Sequence, residues 1–265
     1  SRPNPREISN VLFTQSEPIP DARGMSGMTW LWGQLIAHDT DLTPTQVDGE
    51  TSHISIPTGD SSFDPSGTGE ETISFKRSIF DKTTGTDATN QREHPNVITE
   101  WIDASFVYGS NSEREDWIRT HNDGKMKLTD DGYLPYNDGT QEMAHIGKAP
   151  GFFVAGDNRV NEHSALISIH TLFVREHNRL ADEIKEANPD LSDEEIYQRA
   201  RKINVAQVQD ITYNEFIPAI FGEELAPYEG YDPSVDASVS TEFAQALFRF
   251  GHSTVEDLML RLDEN

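Results

Sequence analysis

The sequence predicts a mainly α-helical chain with long irregular loops and little β structure, and three observations carry that expectation. Apolar residues recur at helical spacing over two stretches, Arg23 to Ile36 and Glu162 to Ala187. A capping box, Ser192 followed by Glu195, opens a third helix. Strand-like alternation is weak and short. No internal repeat or low-complexity linker interrupts the 265 residues, so they read as one domain.

The first helix is carried by Met25, Met28, Leu31, Trp32, Leu35 and Ile36, and it runs into Ala37, His38 and Asp39, which places a polar pair at the end of a buried face. From Gly24 to Phe75 there is no Lys or Arg, while Asp39, Asp41, Asp48, Glu50, Asp60, Asp64, Glu70 and Glu71 stand among Gly, Pro, Ser and Thr. Most of that stretch reads as irregular loop. The second helix is marked by Leu166, Ile169, His170, Phe173, Val174, Leu180 and Ile184, and Asn188-Pro189 stops it. The third is carried by Ile196, Ala200, Ile203 and Val208 towards Ile211, and a fourth runs from about Thr241 through Phe243, Leu247 and Phe250.

Charge and composition narrow the function classes. With 21 Lys+Arg against 46 Asp+Glu the formal charge is −25, which argues against a generic binder of phosphate backbones or anionic membranes. Small molecules, cations or other proteins are the expected partners. The absence of cysteine excludes disulfides, thiolate metal sites and thiol nucleophiles. No leader-like segment opens at Ser1 and no run of 18 apolar residues occurs, so the chain reads as a soluble segment.

Four short segments could carry chemistry, and each has a plainer structural reading when taken alone. In Trp32-Gly33-Gln34-Leu35-Ile36-Ala37-His38-Asp39, Gln34 and His38 share a helical face, as a capping or hydrogen-bonded histidine also could. Thr99-Glu100-Trp101-Ile102-Asp103-Ala104-Ser105 offers side-chain oxygens at Thr99, Asp103 and Ser105 with the Trp101 carbonyl between them, a mixture suited to a hard cation such as Ca²⁺, or an ordinary helix start. Arg159 and Glu162 are three apart just before the long helix, which reads either as a surface ion pair or as a fixed positive charge beside a site. Phe248-Arg249-Phe250-Gly251-His252 presents a histidine among aromatics, suited to axial ligation of haem with Arg249 meeting a propionate, or to a satisfied core position.

Together these segments resemble the animal haem peroxidases. The resemblance also takes in Phe106-Val107-Tyr108-Gly109-Ser110, Gly156-Asp157, His170-Thr171-Leu172 and Arg175 to Leu180, in the family's order and spacing, with Ile73 to Ser78 and Ile211 to Pro218 fitting the same template. It therefore spans nearly the whole chain. The fold it implies is a helical haem peroxidase domain. It implies that His38 is the distal histidine, Arg159 the distal arginine, Gln34 the polar residue lining the distal cavity and His252 the proximal iron ligand. Asp39, Thr99, Trp101 through its carbonyl, Asp103 and Ser105 correspond to the calcium ligands, so that a bound Ca²⁺ would steady the backbone next to His38. The implied activity is reduction of hydrogen peroxide with oxidation of halides, pseudohalides, phenols or other small donors, and the family's habit implies secretion.

The sequence departs from the vertebrate pattern in three ways. A carboxylate that forms an ester to haem precedes the distal histidine there, whereas Ala37 stands here. Glu162 matches the other ester-forming carboxylate, so haem b or a haem with at most one ester link is expected, in a less tightly constrained cavity. His163 follows Glu162 where a sulfonium link would need Met. The lack of cysteine suggests a bacterial-type member. The third departure is that Asn265 comes thirteen residues after His252 where the family continues, so the expectation is the N-terminal and central part of the domain, with the missing C-terminal segment as a partner. Two other readings stand beside the peroxidase: a fatty-acid dioxygenase of the same superfamily, and a weakly active calcium-stabilised interaction domain. Gln34, His38, Arg159 and His252 together argue against the latter. His170 and His177, two turns apart on one helix, are read as structural, and His53, His94, His121 and His145 are assigned no chemistry.

Overall fold

The computed structural model describes residues 2–45 and 50–256, so Asp48 and the chain end at Asn265 lie outside the described residues. The chain divides into two compact units, Ser1–Gly24 with Thr43–Val97 and Met25–Leu42 with Ile98–Asn265.

The first unit holds α1 (Pro5–Leu12) and a two-stranded antiparallel ribbon of β1 (Ile54–Ser55) and β2 (Thr72–Ile73), with Ile54 opposite Ile73. Asn4 caps α1 by accepting from Arg6 N, and Pro5 supplies a preset φ at the first turn. Around Asp60 and Asp64 the acidic stretch is irregular, as expected, and these carboxylates serve as local acceptors. Asp60 takes a forked ion pair from Arg6 (2.7 and 2.9 Å) and the amide of Asn10 (2.8 Å), while Asp64 accepts from the backbone N–H groups of Gly59, Thr68 and Gly69. Such acceptors satisfy backbone donors that a ladder would otherwise pair.

The second unit is helical: α2 (Met28–Thr40), α3 (Ser105–Tyr108), α4 (Ser112–Ile118), α5 (Ser164–Ala187), α6 (Asp193–Ile211), α7 (Ile217–Phe221) and α8 (Thr241–Gln245). Its core joins Leu31, Trp32 and Leu35 of α2 to Phe106 and Tyr108 of α3, Leu166 and Phe173 of α5, and Tyr197 and Val208 of α6. Helix α5, roughly 36 Å long at 1.5 Å per residue, packs along α6. The predicted capping box is present: Ser192 Oγ accepts from Glu195 N at 3.3 Å and Glu195 Oε2 accepts from Ser192 N at 2.9 Å.

Several boundaries and core assignments differ from the sequence expectation. Helix α2 starts at Met28 rather than near Arg23, because Gly24 adopts a φ of +70° and Gly27 offers no side-chain cap. Met25 is consequently only half-buried and Met28 is 52% exposed, while Trp30 joins the core in their place. Ile203 of α6 is likewise exposed. The third helix does not stop at Ile211 but widens into a π-helical turn, Thr212–Phe216, before α7. Thr212 Oγ1 donates to Val208 O (2.7 Å) and accepts from Trp32 Nε1 (3.2 Å), and Pro218 offers no N–H to the ladder, so ordinary 3.6-residue bonding is interrupted there. The fourth helix is broken at Ala246, after which Leu247–Thr254 is a 3-10 helix. Phe243 and Phe248 stack at 5.2 Å and 14°, which an unbroken α-helix could not achieve because residues five apart lie about 140° apart around its axis.

Gly156 matters to the site because of what touches it. A Cβ there would fall 2.2 Å from Ser105 O and 2.4 Å from Gly109 N, so only glycine lets this segment lie against α3, where Asp157 N donates to Phe106 O at 3.1 Å.

Candidate active site

A cavity of about 470 Å³ opens in the second unit between α2, the segment leading into α5, the π-helical turn and the 3-10 helix. From α2 it receives Trp30, Gly33, Gln34, Ala37 and His38, the one-face spacing expected of Gln34 and His38. The segment before α5 contributes Arg159, Glu162 and His163. Phe216 and Ile220 line another side, and the 3-10 helix adds Phe248, Arg249, Phe250, Gly251 and His252. Residues from widely separated stretches thus share one space. Among the described residues no atom lies within 4 Å of a Cβ built on Gly251, which lines the cavity.

His38 is 4% exposed and its basicity is pushed well below the usual imidazole range, first by burial and then by the Arg159 cation, so it is neutral near pH 7. Its Nδ1 is buried without a hydrogen-bond partner and lies 3.8 Å from Asp157 Oδ1, while Nε2 lies 3.7 Å from Glu162 Oε2. Both separations exceed a hydrogen bond. Because Nδ1 is enclosed and the ring lines the cavity, Nε2 is the atom that meets it. Carboxylates flank both ring nitrogens at nearly equal distance, and in the tautomer with its proton on Nδ1 the neutral ring presents the Nε2 lone pair to the cavity.

Arg159 is tied down more firmly than its sequence context indicates. Its Nε and Nη2 fork onto Asp157 (2.9 and 2.7 Å), Nη1 donates to Asp41 O (2.9 Å) and Nη2 also to His38 O (3.2 Å). Burial alone would raise the Asp157 carboxyl, but the guanidinium overrides it and holds it at about 2. The pair therefore anchors the C-terminal end of α2 as well as placing a cation in the cavity wall. Arg249 donates to Asp41 Oδ2 at 3.0 Å while lining the cavity. Asp157 and Asp41 are working residues to which sequence reasoning assigned no role; the available signal was an acid two positions from each key residue, Arg159 and Asp39.

Beyond the cavity wall, Asp39 points into the 99–105 loop. Its Oδ1 accepts from Ser105 Oγ (3.0 Å) and Phe106 N (3.2 Å), and its Oδ2 from Ala104 N (3.1 Å); Ala104 takes a left-handed φ of 57° to make this wrap. Asp103 accepts from Ser105 N at 3.1 Å and from the Thr99 hydroxyl, whose oxygen also accepts from Trp101 N at 3.1 Å. The Trp101 ring is 54% exposed. Burial and the neighbouring Asp103 charge push Asp39 up to about 7. A buried carboxylate, Asp39, and a half-buried one, Asp103, lie close enough to repel, with the hydroxyls of Ser105 and Thr99 on them, and a hard divalent cation would relieve that repulsion. No group of three or more His, Asp or Glu side chains suited to a metal occurs among the described residues, so the charge of such a site comes from Asp39 and Asp103.

His170 and His177 are structural, as expected. His170 Nδ1–H donates to Leu166 O (2.8 Å), and His177 accepts from the Tyr108 hydroxyl at Nδ1 (2.9 Å) and donates from Nε2 to Gly124 O (2.8 Å).

The signature of the animal haem peroxidases matches the chain over residues 1–265. The chain belongs to the animal haem peroxidase family. Lactoperoxidase of Homo sapiens is 36% identical over 294 residues, covering 99% of this chain and 41% of that protein. Among solved structures, Peroxidase A from Dictyostelium discoideum superposes with a TM-score of 0.84 at 32% identity, over 93% of this chain and 50% of that one. A fatty acid alpha-dioxygenase from Oryza sativa superposes with a TM-score of 0.67 at 25% identity, over 83% of this chain and 33% of its own. The chain thus spans about half or less of the length of these relatives.

The chemistry of the lining suits a haem. The cavity has an apolar lining with imidazoles from α2 and from the 3-10 helix, and its enclosed wall carries a neutral histidine next to a buried cation. The residues present fit the group.

Proposed function

We propose that this chain carries the peroxide-cleaving site of a haem peroxidase, which reduces hydrogen peroxide and oxidises a halide, pseudohalide or small organic donor. The observation that supports it most directly is the shared cavity of Gln34, His38, Arg159 and His252. His252 would hold haem iron, and the haem would supply the redox chemistry. The protein's part is acid–base and electrostatic. His38 takes a proton from peroxide at Nε2 and returns it to the departing oxygen, so that water leaves in place of hydroxide. Arg159 keeps a fixed positive charge at the wall and, through its bonds to His38 O and Asp41 O, holds the imidazole's backbone in place. Gln34 donates to Glu162 at 2.9 Å, and Glu162, the one carboxylate lining the cavity among the described residues, would carry any ester to haem, Ala37 having none to offer. Asp39, Thr99, Asp103, Ser105 and the Trp101 carbonyl would hold Ca²⁺, stiffening the turn that follows His38. Secretion belongs to the same reading and rests on the family resemblance.

The deciding experiment is His38→Ala, assayed for single-turnover peroxide cleavage after haem loading. The expected result is a fall of about 10²–10⁴-fold with unchanged haem content; an unchanged rate would remove His38 from its assigned role. The dioxygenase likeness supports a second reading, which predicts oxygen uptake with a fatty acid in place of donor oxidation with peroxide. The closer superposition on Peroxidase A favours the first.

A further inference from the structure

His163 sits between two parts of the site and its hydrogen bonds have only one consistent polarity. At one end, the Leu166 N–H of the first turn of α5 can only donate, and it donates to His163 Nδ1 at 3.2 Å. At the other end, the Glu162 carboxylate accepts from Gln34 Nε2 at 2.9 Å. Between them, His163 Nε2 and Gln34 Oε1 are 2.7 Å apart. An amide oxygen only accepts, so His163 must be the Nε2–H tautomer with a bare Nδ1. The Trp30 ring packs against the imidazole at 5.3 Å. The chain of bonds ends at Glu162 Oε2, 3.7 Å from His38 Nε2.

We propose that His163 is a positioning residue for this wall: its Nε2–H sets the amide of Gln34 so that Nε2 faces Glu162, and thereby holds the Glu162 carboxylate beside His38. The inference rests on the peroxidase reading of the cavity and deepens it. Helix capping alone does not account for a histidine here, since Ser, Asp or Asn caps as well with a shorter side chain. The imidazole places an acceptor and a donor on opposite edges, and it uses both. The Glu162 side chain is already about a third exposed, so without Gln34 it can turn to water.

The variant His163→Asn separates the two roles, because asparagine keeps the capping oxygen and loses the reach to Gln34. In the ¹⁵N-labelled chain without haem, we expect the Nε2–H tautomer at His163 and two resolved, slowly exchanging Gln34 amide protons. His163→Asn should average those protons while leaving the thermal midpoint within about 2 °C. In the haem-loaded chain, cyanide must give up its proton to this wall as it binds, and its association should slow about tenfold in His163→Asn. Gln34→Leu should slow it by a similar factor, and the double variant no further. Unchanged Gln34 signals with a parental cyanide rate would reduce His163 to a cap and overturn the proposal, as would multiplicative effects in the double variant. Failure of the haem-loaded parent chain to cleave peroxide would instead count against the peroxidase reading, with the amide signals of the haem-free chain still deciding the role of His163.

Discussion

Single residues in this protein are set by what buries them. His38, His170 and His177 are all enclosed, yet of the three only His38 lines the cavity described, and that difference separates the imidazole proposed to react from two held by hydrogen bonds. His170 and His177 are each held at about 4, first by burial, against 6.5 in an unfolded chain. The unfolded state therefore binds protons between pH 6.5 and 4 that the folded state refuses. Stability is full above about pH 6.5 and falls as the pH drops towards 4, by something of order 3 kcal/mol for each histidine. Urea unfolding at pH 7 and pH 4.5 should show the loss, and His177→Gln should shrink it. An identical pH dependence in that variant would show that His177 is not the group responsible.

At the scale of elements, the decisive features are places where the backbone departs from the regular period. The close approach at Gly156 seats the segment carrying Asp157 and Arg159 against α3, and its obstacles are backbone atoms that cannot rotate away. Gly156→Ala should cost about 3 kcal/mol or more, read as a lower urea midpoint. By contrast, Gly251→Ala meets nothing within 4 Å among the described residues and should leave the stability within about 0.5 kcal/mol of the parent. Equal midpoints for the two variants would contradict the close packing. The periodic helices α2, α5 and α6 were legible in the sequence because one apolar face repeats along each, and α6 announced its start through Ser192 and Glu195. The π-helical turn after Ile211 was not, since it depends on Thr212 meeting Trp32 across the core.

For the molecule as a whole, a formal charge of −25 makes cation binding a matter of stability as well as function. Calcium at 100 times its dissociation constant would stabilise the folded chain by about 2.7 kcal/mol. In a domain of this size that corresponds to a chelator-induced fall in thermal midpoint of roughly 5–10 °C. Asp39→Asn should abolish the difference between chelated and calcium-loaded protein. A parental midpoint indifferent to chelator would exclude the 99–105 loop as a calcium site. Among the described residues no helix is long and apolar enough to cross a membrane.

The sequence by itself determined the helical class, through local spacing, and by its resemblance the family and the site residues expected to meet, because side-chain chemistry in a fixed order does not change with context. Gln34 and His38 had to share a face once α2 formed. Only the tertiary structure decided how those residues are held. Arg159 could be read as one half of a surface ion pair until the fold placed Asp157, Asp41 O and His38 O around it. His163 looked like the absence of a methionine until α5 fixed its Nδ1 and Gln34 met its Nε2. Partners so far apart in sequence are brought together by burial of the apolar core, and periodicity along a single segment carries no record of them.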